Sequence, residues 1–110
     1  MPISLKAFIY PAKDIENAKT FFGTFLGVAP YVDTPYYVGY KVEDLEIGLD
    51  PNSETGPVGY IDVDDIKASL QEMTDAGAEI IQDPTDVANG LLIAKVKDAN
   101  GNIVGFRQQS

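Results

Sequence analysis

The 110-residue sequence contains no histidine and no cysteine. Without imidazole it lacks a common transition-metal ligand and general base; without thiols it lacks a thiolate nucleophile, a soft metal ligand and any disulfide. The absence of cysteine also leaves the redox compartment unmarked. Basic residues are few, 8 Lys and Arg against 17 Asp and Glu, and Arg107 is the only arginine. The resulting net charge of -9 repels phosphate backbones and anionic lipid head groups, so neither nucleic acid nor a membrane is an expected partner. No run approaches the ~20 apolar residues needed to span a bilayer. The opening Met1-Pro2-Ile3-Ser4-Leu5-Lys6 has neither the basic nor the apolar region of an export signal, which makes the cytoplasm the expected location. A chain of this length suits one compact domain that buries roughly two-thirds of the surface its unfolded state exposes.

What the sequence does have is an internal echo. Asp14-Ile15-Glu16-Asn17-Ala18 and the stop at Phe25-Leu26-Gly27 recur as Asp65-Ile66-Lys67-Ala68 and Asp75-Ala76-Gly77, a period of about fifty residues in which each copy is one supersecondary unit with a face to cover. The apolar stretch from Leu5 to Ala12 has strand length. Asp14 then caps a helix whose apolar positions Ile15, Ala18, Phe22, Phe25 and Leu26 follow a helical period until Gly27. Ala29 to Asp33, a turn at Thr34-Pro35, a tyrosine-rich run from Tyr36 to Val42, a turn at Glu43-Asp44 and Leu45 to Leu49 complete the first half. Asp50 to Pro57 is polar and turn-forming, a connection between modules. Beyond it Val58 to Val63 repeats the opening strand, and Asp65 caps a helix with Ile66, Leu70, Met73 and Ala76 on one face, stopping at Gly77. Ala78 to Ile81 is a short strand, Asn89-Gly90 a tight turn before Leu91 to Val96, and residues 98–102 turn into Ile103 to Gln108. The pattern predicts an α+β fold of two tandem β-α-β-β-β modules in one domain, about residues 3–50 and 57–110.

Two such modules, each with an Asp at its helix start and the second closing on the Asp98-Ala99-Asn100-Gly101-Asn102 turn, resemble the vicinal oxygen chelate superfamily, which includes glyoxalase I, extradiol dioxygenases, and fosfomycin and bleomycin resistance proteins. The resemblance implies half-barrels with the helices outside, paired modules, frequent homodimers, and a divalent metal held by His or Glu on the first and last strands of each module. Carried over by distance from the helix-start Asp and from the final turn, the ligand positions fall on Ala7, Gly48, Val58 and Gly105. None offers a donor side chain, so neither a metal nor another cofactor is expected. An all-carboxylate site using Glu46 or Asp62 remains chemically conceivable. The run from Asp98 to Asn102 is similar to the start of a calcium loop, but it lacks the acid near the loop's end and reads as a hairpin turn.

Strand alternation sorts the remaining residues into two faces. With the four carried-over positions inward, the same face holds Ile9, Glu46, Tyr60, Asp62, Ile103 and Arg107; Tyr37, Lys41 and Lys95 join it by matching the third strands. The opposite register, Phe8, Tyr10, Ile47, Leu49, Ile61, Val63, Val104 and Phe106, is expected to form core against the helices. Tyr36, Tyr37 and Tyr40 offer flat faces to a planar or cationic ligand, or pack as ordinary strand residues. Arg107 either clamps a carboxylate or pairs with a neighbouring acid. The candidate ligand-binding residues are therefore Ile9, Tyr37, Glu46, Tyr60, Asp62, Ile103 and Arg107, with no catalytic residue assigned. Three functions stay open: a metal-independent protein that binds a small, antibiotic-like, planar or cationic molecule as a homodimer; a divergent metal-free lyase or isomerase; and a module acting through protein contacts without a ligand.

Overall fold

A computed structural model describes residues 5–109. In chain order it contains β1 (Leu5–Pro11), α1 (Ile15–Leu26), β2 (Val32–Asp33), β3 (Val38–Val42), β4 (Leu45–Asp50), β5 (Val58–Asp62), α2 (Ile66–Asp75), β6 (Glu79–Ala88), β7 (Leu91–Lys97) and β8 (Ile103–Gln109). This is a mixed α+β fold that reads β-α-β-β-β twice. The chain divides into two compact units, Lys6–Val58 and Gly59–Ser110, the latter also taking in Leu5. The break between the units lies between Val58 and Gly59, inside β5.

In the first unit the strand order is β2-β3-β4-β1, with β1 parallel to β4 and β4 antiparallel to β3. Asp14 accepts a hydrogen bond from Asn17 N at 3.1 Å, and Gly27 ends α1 in the left-handed region at φ 71°. An N-cap of this kind contributes about 1 kcal/mol, which explains why the helix starts where the first echo begins. Ile15, Ala18, Phe22 and Leu26 turn towards Val38, Tyr40, Ile47 and Leu49 on the sheet. Phe8, Tyr10 and Phe22 add ring contacts, the first pair stacked at 5.2 Å. Phe25, expected on the same stripe, is instead 73% exposed. It lies beside Phe21 on the flank of the helix, because its rotation from Phe22 carries it off the buried line.

In the second unit the order is β5-β8-β7-β6, with β5 parallel to β8. Asp65 caps α2 through Ala68 N, and Gln108 on β8 accepts from Ile66 N at 2.6 Å, tying the helix start to the last strand. Ile66, Leu70 and Met73 pack with Ile61, Val63, Ala94, Val96 and Phe106. Ala76, expected on this face, is the exposed C-cap residue. Val104 is 43% exposed rather than core; its partner across the β5 ladder is Gly59, which has no side chain to cover it. Asn89 and Gly90 both take positive φ, 52° and 81°, the signature of the tight hairpin turn their sequence specifies.

The largest departure from expectation is β6. It is a ten-residue strand, not the short one suggested by Ala78 to Ile81. It passes through Pro84, with register shifts on both sides of Gln82 and again at Asp86. Proline is tolerated there because β6 is the end strand of its unit and the bulges spare the ladder an amide at that position. No helix among the described residues is long and apolar enough to cross a membrane.

Candidate functional site

Each unit turns one sheet face towards its helix and leaves the opposite face helix-free. On the first unit, the register pairs Ala7 with Glu46 and Ile9 with Gly48 between β1 and β4, and Lys41 with Glu46 and Gly39 with Gly48 between β3 and β4. Residues paired in this way share a face, so Ile9, Gly39, Lys41, Glu46 and Gly48 lie together.

Onto this face fold two tyrosines from the segment around β2. The phenol of Tyr31 donates a hydrogen bond to Glu46 Oε1, and that of Tyr37 donates to Glu46 Oε2. The bend carrying Tyr37 is fixed by Thr34. Its Oγ1 accepts from Tyr36 N at 3.1 Å and Tyr37 N at 3.0 Å, and its backbone N–H donates to Tyr37 O at 3.0 Å. The Lys41 ammonium stands 5.8 Å from the centroid of the Tyr31 ring, in reach of a cation–π attraction of about 0.5–1 kcal/mol for an exposed pair.

Glycine makes room for these side chains. A Cβ on Gly39 would lie 3.1 Å from Tyr37 Cε2 and 3.2 Å from Tyr31 Cε1. One on Gly48 would come 2.6 Å from Ile9 Cδ1 and 2.7 Å from Tyr37 Cζ, nearer than non-bonded carbons stand.

The second unit repeats the arrangement with different side chains. Tyr60, paired with Gly105 in the parallel ladder and 5% exposed, spreads its ring over that glycine: a Cβ there would meet Tyr60 Cζ at 3.0 Å and two further ring atoms at shorter range. Two residue pairs along, on the same face, Arg107 Nε donates to Asp62 Oδ1 at 2.8 Å across the same ladder. Both side chains reach solvent, so the pair adds at most about 1 kcal/mol. Lys95 lies opposite Gly105 on the other side. Ile103 opens β8 on this face, half-buried and opposite Lys97.

The structure thus brings Ile9, Tyr37 and Glu46 together in one unit, and Tyr60, Asp62 and Arg107 together in the other, with Ile103 at the strand end. Tyr40 departs from the tyrosine cluster drawn from sequence. It is fully buried on the helix side, donating its hydroxyl to Lys19 O at 3.1 Å, and burial raises its phenol above the usual tyrosine range. Tyr36 is 77% exposed. Tyr31 belongs to the cluster around Glu46 although alternation does not point to it. It sits in a bend just ahead of β2, where the two-residue period of a strand does not apply.

The positions at which the resemblance places metal ligands hold two alkyl side chains, Ala7 and Val58, and two glycines roofed by Tyr37 and Tyr60. A His or Glu donor at either glycine would collide with a ring. No group of three or more Asp, Glu, His or Cys side chains suited to a metal occurs among the described residues. The residues present do not fit the superfamily's metal centre.

Comparison with known proteins supports the same architecture. The chain is similar to a hypothetical protein from Bacillus halodurans C-125 (20% identity, TM-score 0.78, covering 100% of this chain and 96% of that one). It is also similar to NAD-dependent benzaldehyde dehydrogenase from Legionella pneumophila (17%, 0.76, 94% and 98%). A third likeness is to a glyoxalase/bleomycin resistance protein/dioxygenase superfamily member from Vibrio splendidus 12B01 (18%, 0.72, 99% and 100%). At such identities these likenesses establish the fold alone. No curated protein matches the chain. The profile of the Glyoxalase/Bleomycin resistance protein/Dioxygenase superfamily matches residues 4–106, and the chain belongs to that superfamily.

Proposed function

We propose that this member of the superfamily is a metal-independent small-molecule-binding protein. The observation that carries the reading is the pair of aromatic rings on Gly48 and Gly105: where the family's chemistry calls for metal donors, this chain has closed the position with Tyr37 and Tyr60. The ring and carboxylate chemistry around those glycines supports a ligand held by aromatic contact and a few fixed polar groups, the usual composition of a small-molecule site. The net charge of -9 favours a cationic ligand over an anionic one, and the rings favour a planar one. The protein acts in the cytoplasm as a homodimer on this reading. A divergent metal-free lyase would need its own side chains to supply the several kcal/mol of charge stabilisation that a metal provides.

A thermal-shift screen of small molecules tests the proposal. Stabilising planar amines or antibiotic-like molecules are expected, each weakened by Glu46→Ala where it binds the first unit or by Tyr60→Ala where it binds the second, with the fold intact by circular dichroism. Hits that bind both variants as tightly as the parent would overturn the site assignment, and a broad screen without hits would favour a module that acts through protein contacts.

A further inference from the structure

The hydrogen bonds that hold Glu46 also determine what it can accept. Tyr31 donates to Oε1 and Tyr37 to Oε2, so the two oxygens are gripped separately and the carboxylate plane cannot rotate freely about its terminal bond. A carboxylate has about four lone-pair positions, and two are taken by the phenols. Two positions remain, one on each oxygen, on a carboxylate that the phenols hold in one plane. Two oxygens held in one plane suit the paired N–H bonds of one planar cation better than a single ammonium.

Three further features agree. Gly39 and Gly48, facing each other across β3 and β4, remove the Cβ atoms beneath the cluster, so both rings and the carboxylate lie low on the sheet. The Tyr31 ring already faces a cation, the Lys41 ammonium. Tyr31 itself is 54% exposed, which leaves part of its surface accessible from solvent. Lys41 is the cross-strand neighbour of Glu46 and weakens the local negative field, making it a competitor for any incoming cation.

We infer that Glu46 is the recognition carboxylate for a planar nitrogen cation of the amidinium or guanidinium class, bound edge-on to Oε1 and Oε2 beside the Tyr31 and Tyr37 rings. This rests on the small-molecule-binding reading and narrows it to one ligand chemistry and one anchoring side chain. Tyr31 and Tyr37 act as positioning residues that set the plane of the carboxylate.

The test is a titration of the intact protein, labelled with ¹³C at its glutamate carboxyls, with benzamidinium, benzylammonium and benzoate as probes. Benzamidinium is expected to saturate and to move the Glu46 carboxyl resonance, to bind more tightly than benzylammonium, and to leave benzoate without measurable binding. Glu46→Gln is expected to weaken benzamidinium at least tenfold, and Lys41→Gln to strengthen it several-fold. The Glu46 resonance of the unmutated protein reports directly, so the result does not depend on whether a variant folds. Benzamidinium bound without a shift at Glu46, or bound equally by Glu46→Gln, overturns the inference. If benzoate or neutral fragments bind and benzamidinium does not, the inference falls while the small-molecule reading stands; if no fragment of any charge binds, both fall.

Discussion

The ring of Tyr60 lies over Gly105, its partner in the parallel β5–β8 ladder, so closely that a Cβ on the glycine would stand 3.0 Å from Cζ and nearer still to two other ring carbons. Gly105→His, the substitution that would install a superfamily-type metal donor, therefore forces a ring out of a buried place. Overpacking of this kind costs about 1–3 kcal/mol, and urea denaturation is expected to show that loss. Adding Tyr60→Ala to Gly105→His is expected to recover part of it, giving a coupling between the two sites that independent positions would not show.

Tyr40 joins β3 to α1 through its hydrogen bond to Lys19 O. Tyr40→Phe keeps the ring and removes the donor, and is expected to cost about 1 kcal/mol. Tyr40→Ala empties a fully buried ring position and is expected to cost about 3–5 kcal/mol. Equilibrium unfolding of both variants checks the order; equal losses would mean that the hydroxyl, not the ring, dominates.

Asp98 organises the turn before β8. Its carboxylate accepts from Asn102 Nδ2 at 3.0 Å and from the backbone of Asn102 and Asn100 at 2.8 and 2.9 Å. These bonds, led by the Asn102 side chain, hold its carboxyl below the usual aspartate value of 3.8. Because the folded value is the lower one, the stabilisation is fully present above the unfolded value and is lost as pH falls through the folded value. Asp98→Ala is thus expected to lower the melting temperature at pH 7, with the difference from the parent shrinking below about pH 4. A difference that stays constant down to pH 2 would contradict the assignment.

Assembly follows from the strand edges. β2 and β6 are the end strands of their units, and a ten-residue edge such as β6 invites pairing unless it is protected. Its bulges and Pro84 blunt it in part. A two-fold homodimer of about 24 kDa, twice the 11.9 kDa chain, is expected in sedimentation equilibrium. Monomer alone at micromolar concentration would count against it.

Much of the architecture was legible because the decisive signals are local. Asp14 and Asp65 announce helix starts by bonding amides three residues on. Asn89-Gly90 announces a turn that needs positive φ twice, and alternation in β1, β4 and β5 separates Glu46 and Tyr60 from Ile47 and Ile61. The rest depends on what lies across from a residue. The length of β6 was hidden by Pro84, which argues against a strand unless the strand is known to be an edge. Val104 has an apolar residue's pattern but faces Gly59. Tyr40 shares its strand face with Val38 and Val42 and packs with them in the core, although its neighbours Tyr36 and Tyr37 suggest one aromatic surface. Tyr31 reaches Glu46 from a bend, where neither a helical nor a strand period predicts direction.

The most direct test of the central claim, that this chain binds small molecules without a metal, compares the affinity of the best screening hit in excess chelator with its affinity in stoichiometric Zn²⁺, Mn²⁺ or Ni²⁺, with elemental analysis of the same dialysed protein. The rings over Gly48 and Gly105 predict equal affinities and no stoichiometric transition metal. Binding that disappears in chelator, or about one metal per chain surviving dialysis, would contradict the account.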